Sequence, residues 1–331
     1  MSSNDAARGT HAADGLPDVT TVRAALRWAT ERIRTCLGGA PEGSAETPYL
    51  DALVLLAHAT GEPTERVMAA LPDELTADAI ARFSDFVERR CAGLPVSYIR
   101  GVQEFYGREL VVSPAVLVPR PDSEILVEEA LRLVDLLAPG PHGQEPAAGG
   151  DGARRPALHV HDACTGSGCI AITIAAERPW IDVSASDLDE AALDVARTNA
   201  ERVVGPGRVA IWRSDLLARL AEESARHSLP APQIITANPP YLTDTEYRRM
   251  HDAGWPEPAH ALAAGEDGLD AIRALAAQAV TALPHGGYLV SEIGPVQGEA
   301  GVALFEGVGL SDVRIRTDLA GRDRVVTGRR P

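Results

Sequence analysis

From residue 158 to the C-terminus, short β-rich runs alternate with helical patterns, and nothing else in the 331-residue chain constrains its fold as strongly. Segments 158–163, 182–187, 208–213, 233–237 and 287–292 read as strands. Helical patterns separate the first three and lie between the last two. Repeated strand–helix–strand units predict a parallel, doubly wound α/β sheet. Two further short strands, 313–317 and 324–328, close the chain and bring the expected number to seven.

Residues 19–90 have the other period. Val22, Leu26, Ala29, Ile33 and Leu37 recur at steps of three and four, as one face of an amphipathic helix should. Pro48 precedes a second helix carrying Leu53, Leu55, Leu56 and Ala57. Thr76 is a candidate N-cap for a third, which carries Ile80, Phe83 and Val87 and ends near Arg90. These patterns predict a small helical domain suited to docking rather than chemistry. Residues 91–118 read as a linker containing a β-hairpin around Gly107, and two prolines then stiffen the chain ahead of a helix over 123–137. The remaining domain spans 119–331, interrupted by a Gly-, Pro- and Ala-rich insertion at 139–156, and residues 1–18 read as a flexible tail.

Charge narrows the function classes. The net charge of −16 repels a polyanion, and no long Lys/Arg-rich run offsets it, so no direct nucleic-acid binding is expected. No apolar window approaches the ~18 residues of a membrane span. Cys36, Cys91, Cys164 and Cys169 form no Cys-x-x-Cys pair, which points to a reduced, cytoplasmic setting without structural zinc. The nine histidines show no ligand spacing, so no metal is expected.

Two motifs carry the chemistry. The first strand runs into Cys164, Thr165, Gly166, Ser167 and Gly168, with an apolar helix directly after. Glycine at 166 and 168 permits a tight turn and close approach to a ligand. Asp187 ends the second strand, 19 residues after Gly168, where a carboxylate can accept from both hydroxyls of a ribose. Ile172 stands where the third glycine of a dinucleotide fingerprint would be, and no Lys-Ser/Thr pair offers itself to a triphosphate. A cationic, phosphate-free nucleoside such as S-adenosylmethionine suits this acid-lined site, with Asp215 a further polar group on the adenosine side.

The fourth strand ends in Asn238, Pro239, Pro240 and Tyr241. Two prolines fix a rigid extended turn and leave carbonyls without competing local amides. The Asn238 side-chain oxygen and the Pro239 carbonyl can then hold both hydrogens of an NH₂ group, with Tyr241 offering a flat face on which an amide or base can stack. An exocyclic adenine amine presents the same two hydrogens, so a DNA adenine N6-methylase is one competing reading. A nucleoside-binding module without catalysis is another, but it leaves the rigid turn unexplained.

These residues resemble the protein-(glutamine) N(5)-methyltransferases. The landmarks are Leu94-Pro-Val-Ser-Tyr-Ile-Arg-Gly101, Glu104-Phe-Tyr-Gly107, Pro119-Arg-Pro-Asp-Ser-Glu124, the glycine turn, Asn238-Pro-Pro-Tyr241 and Asp318-Leu-Ala-Gly-Arg-Asp-Arg-Val325. The resemblance implies a Rossmann-like class I methyltransferase with a mostly parallel seven-stranded sheet and an N-terminal substrate-docking domain. It implies S-adenosyl-L-methionine as methyl donor, S-adenosyl-L-homocysteine as product, and the Gly-Gly-Gln glutamine of peptide chain release factors as acceptor. Cys164, Thr165, Gly166, Ser167, Gly168, Asp187, Asp215, Leu216 and Asn238 would line the cofactor site, and Asn238 to Tyr241 would hold the glutamine. Two positions depart from the family pattern, which has Gly at Cys164 and Thr at Ser123. Cys164 resembles the sister enzymes that methylate a large-subunit ribosomal protein, whereas 318–325 resembles the release-factor branch.

Overall fold

The computed structural model describes residues 20–37, 47–138 and 158–331. The expected tail (1–18) and insertion (139–156) lie outside the described residues. The chain divides between Arg100 and Gly101 into two compact units.

The first unit is helical: α1 (Val22–Leu37), α2 (Pro48–Thr60), α3 (Thr64–Ala69), α4 (Ala77–Cys91) and α5 (Val96–Arg100). The apolar faces expected on α1, α2 and α4 meet in one core, with Leu26, Ile33, Leu55, Leu56, Phe83 and Val87 fully buried. Thr76 caps α4 as expected, accepting from the Ala79 N–H at 3.2 Å. Two short helices were not expected. At 6 and 5 residues, α3 and α5 are too brief for a periodic apolar face to show in the sequence.

The second unit opens with the hairpin β1 (Val102–Phe105) and β2 (Arg108–Val111). Both turn residues, Tyr106 and Gly107, have positive φ, the geometry a two-residue hairpin favours. A 3₁₀ turn at Pro121–Ser123 leads into α6 (Glu124–Leu137). Then follow β3 (His159–Ala163), α7 (Cys169–Glu177), β4 (Asp182–Asp187), α8 (Glu190–Val203), β5 (Val209–Arg213), α9 (Leu220–Arg226) and β6 (Ile234–Ala237). The chain continues through α10 (Asp244–Asp252), α11 (Asp270–Ala282), β7 (Tyr288–Glu292), α12 (Gly298–Gly307), β8 (Ser311–Thr317) and β9 (Asp323–Arg329). Each expected strand is present, within two residues of its expected ends. The short helix α9 between β5 and β6 was not anticipated.

The seven strands form one sheet in the order β5-β4-β3-β6-β7-β9-β8, parallel from β5 to β7 and antiparallel at β9 and β8. Helices α6, α7 and α8 cover one face and α9, α11 and α12 the other. The strand order reverses between β3 and β6, which pair in parallel with Ala163 opposite Ala237. The glycine turn and the Asn-Pro-Pro-Tyr segment therefore leave the sheet side by side, at the crevice where doubly wound sheets bind ligands.

One face of β3 and β4 is polar. The His159 ring nitrogen Nδ1 meets the Pro230 carbonyl at 2.7 Å, so it must carry a proton. Its Nε2 then accepts from the Ser184 hydroxyl (2.7 Å), which in turn accepts from His161 Nδ1 (2.8 Å). Burial depresses both imidazole pKa values, that of His161 to about 3, so the ladder stays neutral. These histidines are interior hydrogen-bonding groups.

Candidate functional site

A cavity of about 290 Å³ opens at the crevice. Of the residues singled out from sequence, Cys164, Thr165, Gly166, Ser167, Asp187, Asp215, Leu216, Asn238 and Pro240 line it. Gly168, Pro239 and Tyr241 do not. Gly168 lies behind the turn, and Tyr241 stands to one side against Glu292.

The glycine turn is held from below. Asp162, fully buried at the end of β3, accepts from Thr165 Oγ1 at 2.6 Å and from Thr236 Oγ1 of β6 at 2.7 Å. Burial pushes its carboxyl up to about 7 despite the two hydroxyls. The Asn199 side chain ties three elements together: it accepts from the Val111 N–H (2.7 Å) and donates to the carbonyls of Val111 and Ser167 (2.9 Å each). The hairpin is thereby fixed to the glycine turn through α8.

Gly168 has φ +82°, and a Cβ placed there would stand 2.7 Å from Ile172 Cδ1 and 3.3 Å from Ala196 Cβ. Its role is thus close packing of α7 on α8. Gly166 has φ +55° and open space where a Cβ would go. The two glycines make separable predictions. Gly168→Ala should destabilise the fold by about 2 kcal/mol or more, combining left-handed backbone strain with overpacking. Gly166→Ala should cost only the backbone part, about 1–2 kcal/mol. Denaturant unfolding of the two variants measures the difference; equal losses would mean that the Ile172 and Ala196 contacts relax freely.

Asp187 braces the turn as well as facing the cavity. Its Oδ2 accepts from the Gly166 N–H at 2.8 Å and its Oδ1 from the Asp189 N–H at 3.0 Å. Desolvation raises its pKa, and those amide donors work against the rise. Asp189 caps α8, its side chain accepting from the Ala191 N–H. It also lies 3.2 Å from His260 Nε2, which brings His260 to the cavity rim. Leu216 has φ +46°, so the chain turns sharply beneath the cavity between β5 and α9.

On the other side, Asn238 Nδ2 donates to Ser123 Oγ at 3.2 Å, and the Ser123 hydroxyl donates to Glu292 Oε2 at 2.6 Å. The Tyr241 hydroxyl approaches Glu292 Oε1 at 3.5 Å. Gln297 holds the Tyr241 backbone, its Nε2 donating to the carbonyl at 2.9 Å, and a Cβ at Gly294 would stand 3.0 Å from Gln297 Oε1. Burial drives the Tyr241 phenol well above its usual range, so it stays protonated and donates. Ser123 and Glu292 were not picked out as site residues from sequence. Ser123 reaches Asn238 directly and Glu292 reaches it through Ser123, because the 3₁₀ turn ahead of α6 meets the end of β6 where β7 pairs with it. Cys164 and Cys169 carry thiols that burial pushes up, that of Cys169 to about 12, so both remain neutral.

The donor set suits a cationic nucleoside. Asp187 and Asp215 supply the acid, the bare face of Gly166 admits close approach, and Ile170, Leu188, Leu216, Ala271 and Ala274 give an apolar bed for a flat base.

Comparison with known proteins adds the relationship. Residues 24–101 match the PrmC N-terminal domain and residues 153–252 the methyltransferase small domain. The chain is 38% identical to the release factor glutamine methyltransferase of Cereibacter sphaeroides over 85% of this chain and 91% of that one. Identity to the protein of the same name from Burkholderia pseudomallei is 37%, over 85% and 92%. With that of Moorella thermoacetica it is 36%, over 92% and 96%.

Proposed function

The chain belongs to the release factor glutamine methyltransferases, and from that premise we propose that it methylates the Gly-Gly-Gln glutamine of peptide chain release factors, using S-adenosyl-L-methionine. The observation that carries the reading is the orientation of Asn238. Because its Nδ2 is committed to Ser123, its Oδ1 is the atom free to accept from a substrate beside the cavity. In this reading Asp187 holds the ribose, and Cys164 to Gly168, Asp215 and Leu216 surround the rest of the nucleoside. Asn238 Oδ1 and the Pro239 carbonyl accept the two hydrogens of the glutamine NH₂, while the amide plane rests against Tyr241.

An amide nitrogen is a poor nucleophile because its lone pair is shared with the carbonyl. Holding both hydrogens turns that lone pair toward the cavity, and fixed alignment supplies much of the remaining rate. Bound in the cavity, S-adenosylmethionine supplies a methyl group already activated on a sulfonium, so no strong base is needed before attack. The helical unit is assigned to docking the protein substrate, since the described chemistry lies wholly in the second unit.

The test is incubation with labelled S-adenosylmethionine and an intact release factor, followed by mass mapping of the modified peptide. Label on the glutamine of Gly-Gly-Gln, and none on a Gln→Ala variant of that motif, is the expected result. Label on a large-subunit ribosomal protein or on DNA instead would replace this substrate.

A further inference from the structure

Asn238 can serve as an acceptor only while its amide is held one way round, and what holds it is a relay of two groups outside the motif. The relay runs Asn238 Nδ2 → Ser123 Oγ (3.2 Å), then Ser123 hydroxyl → Glu292 Oε2 (2.6 Å). Ser123 has one proton to give and, with Asn238 donating to it, must give that proton to Glu292. The direction of the whole chain is therefore set at its far end. An ionised Glu292 can only accept, which forces Ser123 to donate and Asn238 to present Nδ2 inward and Oδ1 outward.

We propose that Glu292, acting through Ser123, is the positioning residue that orients the Asn238 amide, and that methyl transfer requires Glu292 ionised. Protonation at Oε2 makes the carboxyl a donor to Ser123. The Ser123 hydroxyl hydrogen is then no longer drawn to Glu292 and can turn to Asn238, so the amide is no longer held one way round and can turn over, aiming its NH₂ at the substrate. Two donors would then face each other where acceptor and donor are needed. Protonation at Oε1 instead makes that oxygen a donor and reverses its 3.5 Å contact with the Tyr241 hydroxyl. Either site of protonation changes the hydrogen-bond polarity behind the substrate side.

The surroundings place the switch in an accessible pH range. Glu292 is fully buried, and desolvation pushes its carboxyl up to about 7. Arg324 of β9 and the hydroxyls of Ser123 and Tyr241 favour the ionised form, while Asp122 in the 3₁₀ turn opposes it. The Cys169 thiol of α7 is also near and stays neutral. Arg324 is itself engaged by Asp122 at 2.8 Å and Asp318 at 3.3 Å, so it contributes field rather than a direct bond. Because the active form is the deprotonated one, turnover should be full above the pKa and fall as pH drops through it.

This inference rests on the glutamine-methyl-transfer reading, and wild-type label on the Gly-Gly-Gln glutamine tests that reading separately. With that label in hand, kcat is measured from pH 5.5 to 9 for wild type, Glu292→Gln, Ser123→Thr and Ser123→Ala. Wild type should plateau above about pH 7 and lose about tenfold per unit below it. Glu292→Gln keeps an acceptor for Ser123 but cannot titrate, so its profile should be flat. Ser123→Thr should retain the wild-type limb, whereas Ser123→Ala should lose most of kcat with S-adenosylmethionine affinity unchanged. Carboxyl-carbon NMR provides a readout independent of turnover: a signal absent from Glu292→Gln should titrate at the midpoint of the limb. Burial also raises the carboxyls of Asp162 and Asp187, so an unchanged limb in Glu292→Gln would assign the pH dependence to a group other than Glu292 and overturn the proposal. Wild-type kcat in Ser123→Ala would overturn it equally, including where Glu292→Gln does not fold.

Discussion

Asn238→Ala should reduce turnover by on the order of a hundredfold or more, the usual cost of losing one placed polar group at a site that works by orientation and electrostatics. Cofactor affinity and stability should change little, because the side-chain hydrogen bond that Asn238 makes among the described residues is a 3.2 Å contact to Ser123. Asn238→Asp is the sharper variant. The new carboxylate keeps the outward acceptor but puts a second acceptor opposite Ser123, whose single proton already goes to Glu292. One of those two bonds must break. On the proposed reading the added negative charge would also sit near a sulfonium whose positive charge disperses on the way to the transition state, and so would hold the ground state more tightly than the transition state. Poor kcat with unchanged or tighter S-adenosylmethionine binding is the expected combination. Rates are measured on a release-factor domain containing Gly-Gly-Gln, with calorimetry for the cofactor. Wild-type rates in both variants would remove Asn238 from the mechanism.

The parts of this site that could be read from sequence are those written within one strand and the turn after it. Gly166 and Gly168 announce a positive-φ turn, Asp187 closes a strand at the distance a ribose needs, and Asn238 to Tyr241 is a rigid segment with few other uses. Each signal is local, and a parallel sheet converts local into adjacent: Ala163 opposite Ala237 is enough to set the two motifs side by side. What sequence could not show is the support behind them. Ser123 reaches Asn238 across 115 residues, and Asn199 reaches Val111 across 88, through packing that no periodicity encodes. Glu292 ends a buried strand and looks there like any edge acid; only the order β3-β6-β7 puts it behind Asn238. Gly168 was read as a ligand-approach glycine, yet its missing side chain makes room for Ile172 and Ala196. The same Ile172 that excludes a dinucleotide fingerprint is what that glycine packs against.

Asp187→Ala should weaken S-adenosylmethionine binding by at least a hundredfold. On the proposed binding mode, two charge-assisted hydrogen bonds to the ribose would vanish, each worth about 1.5–3 kcal/mol. A carboxylate offers about four acceptor positions. Two are used on the Gly166 and Asp189 amides, which leaves two for the ribose hydroxyls. The alanine variant therefore also strips the brace from the glycine turn, and part of its loss should appear as reduced stability without ligand. Asp187→Asn separates charge from shape, and here the geometry makes an unusual demand. Both carboxylate oxygens face a backbone N–H, so whichever way the amide turns, its NH₂ must point at a donor, either Gly166 or Asp189. No orientation of asparagine satisfies both amides. The isosteric variant should consequently bind nearly as poorly as the alanine one, where an ordinary ribose acid would show only a partial loss. Calorimetric titration of the two variants, with unfolding measured in the absence of cofactor, decides the matter. Near-normal affinity in Asp187→Asn would mean that the Gly166 and Asp189 contacts are dispensable, and an unchanged dissociation constant in Asp187→Ala would place the ribose elsewhere in the cavity.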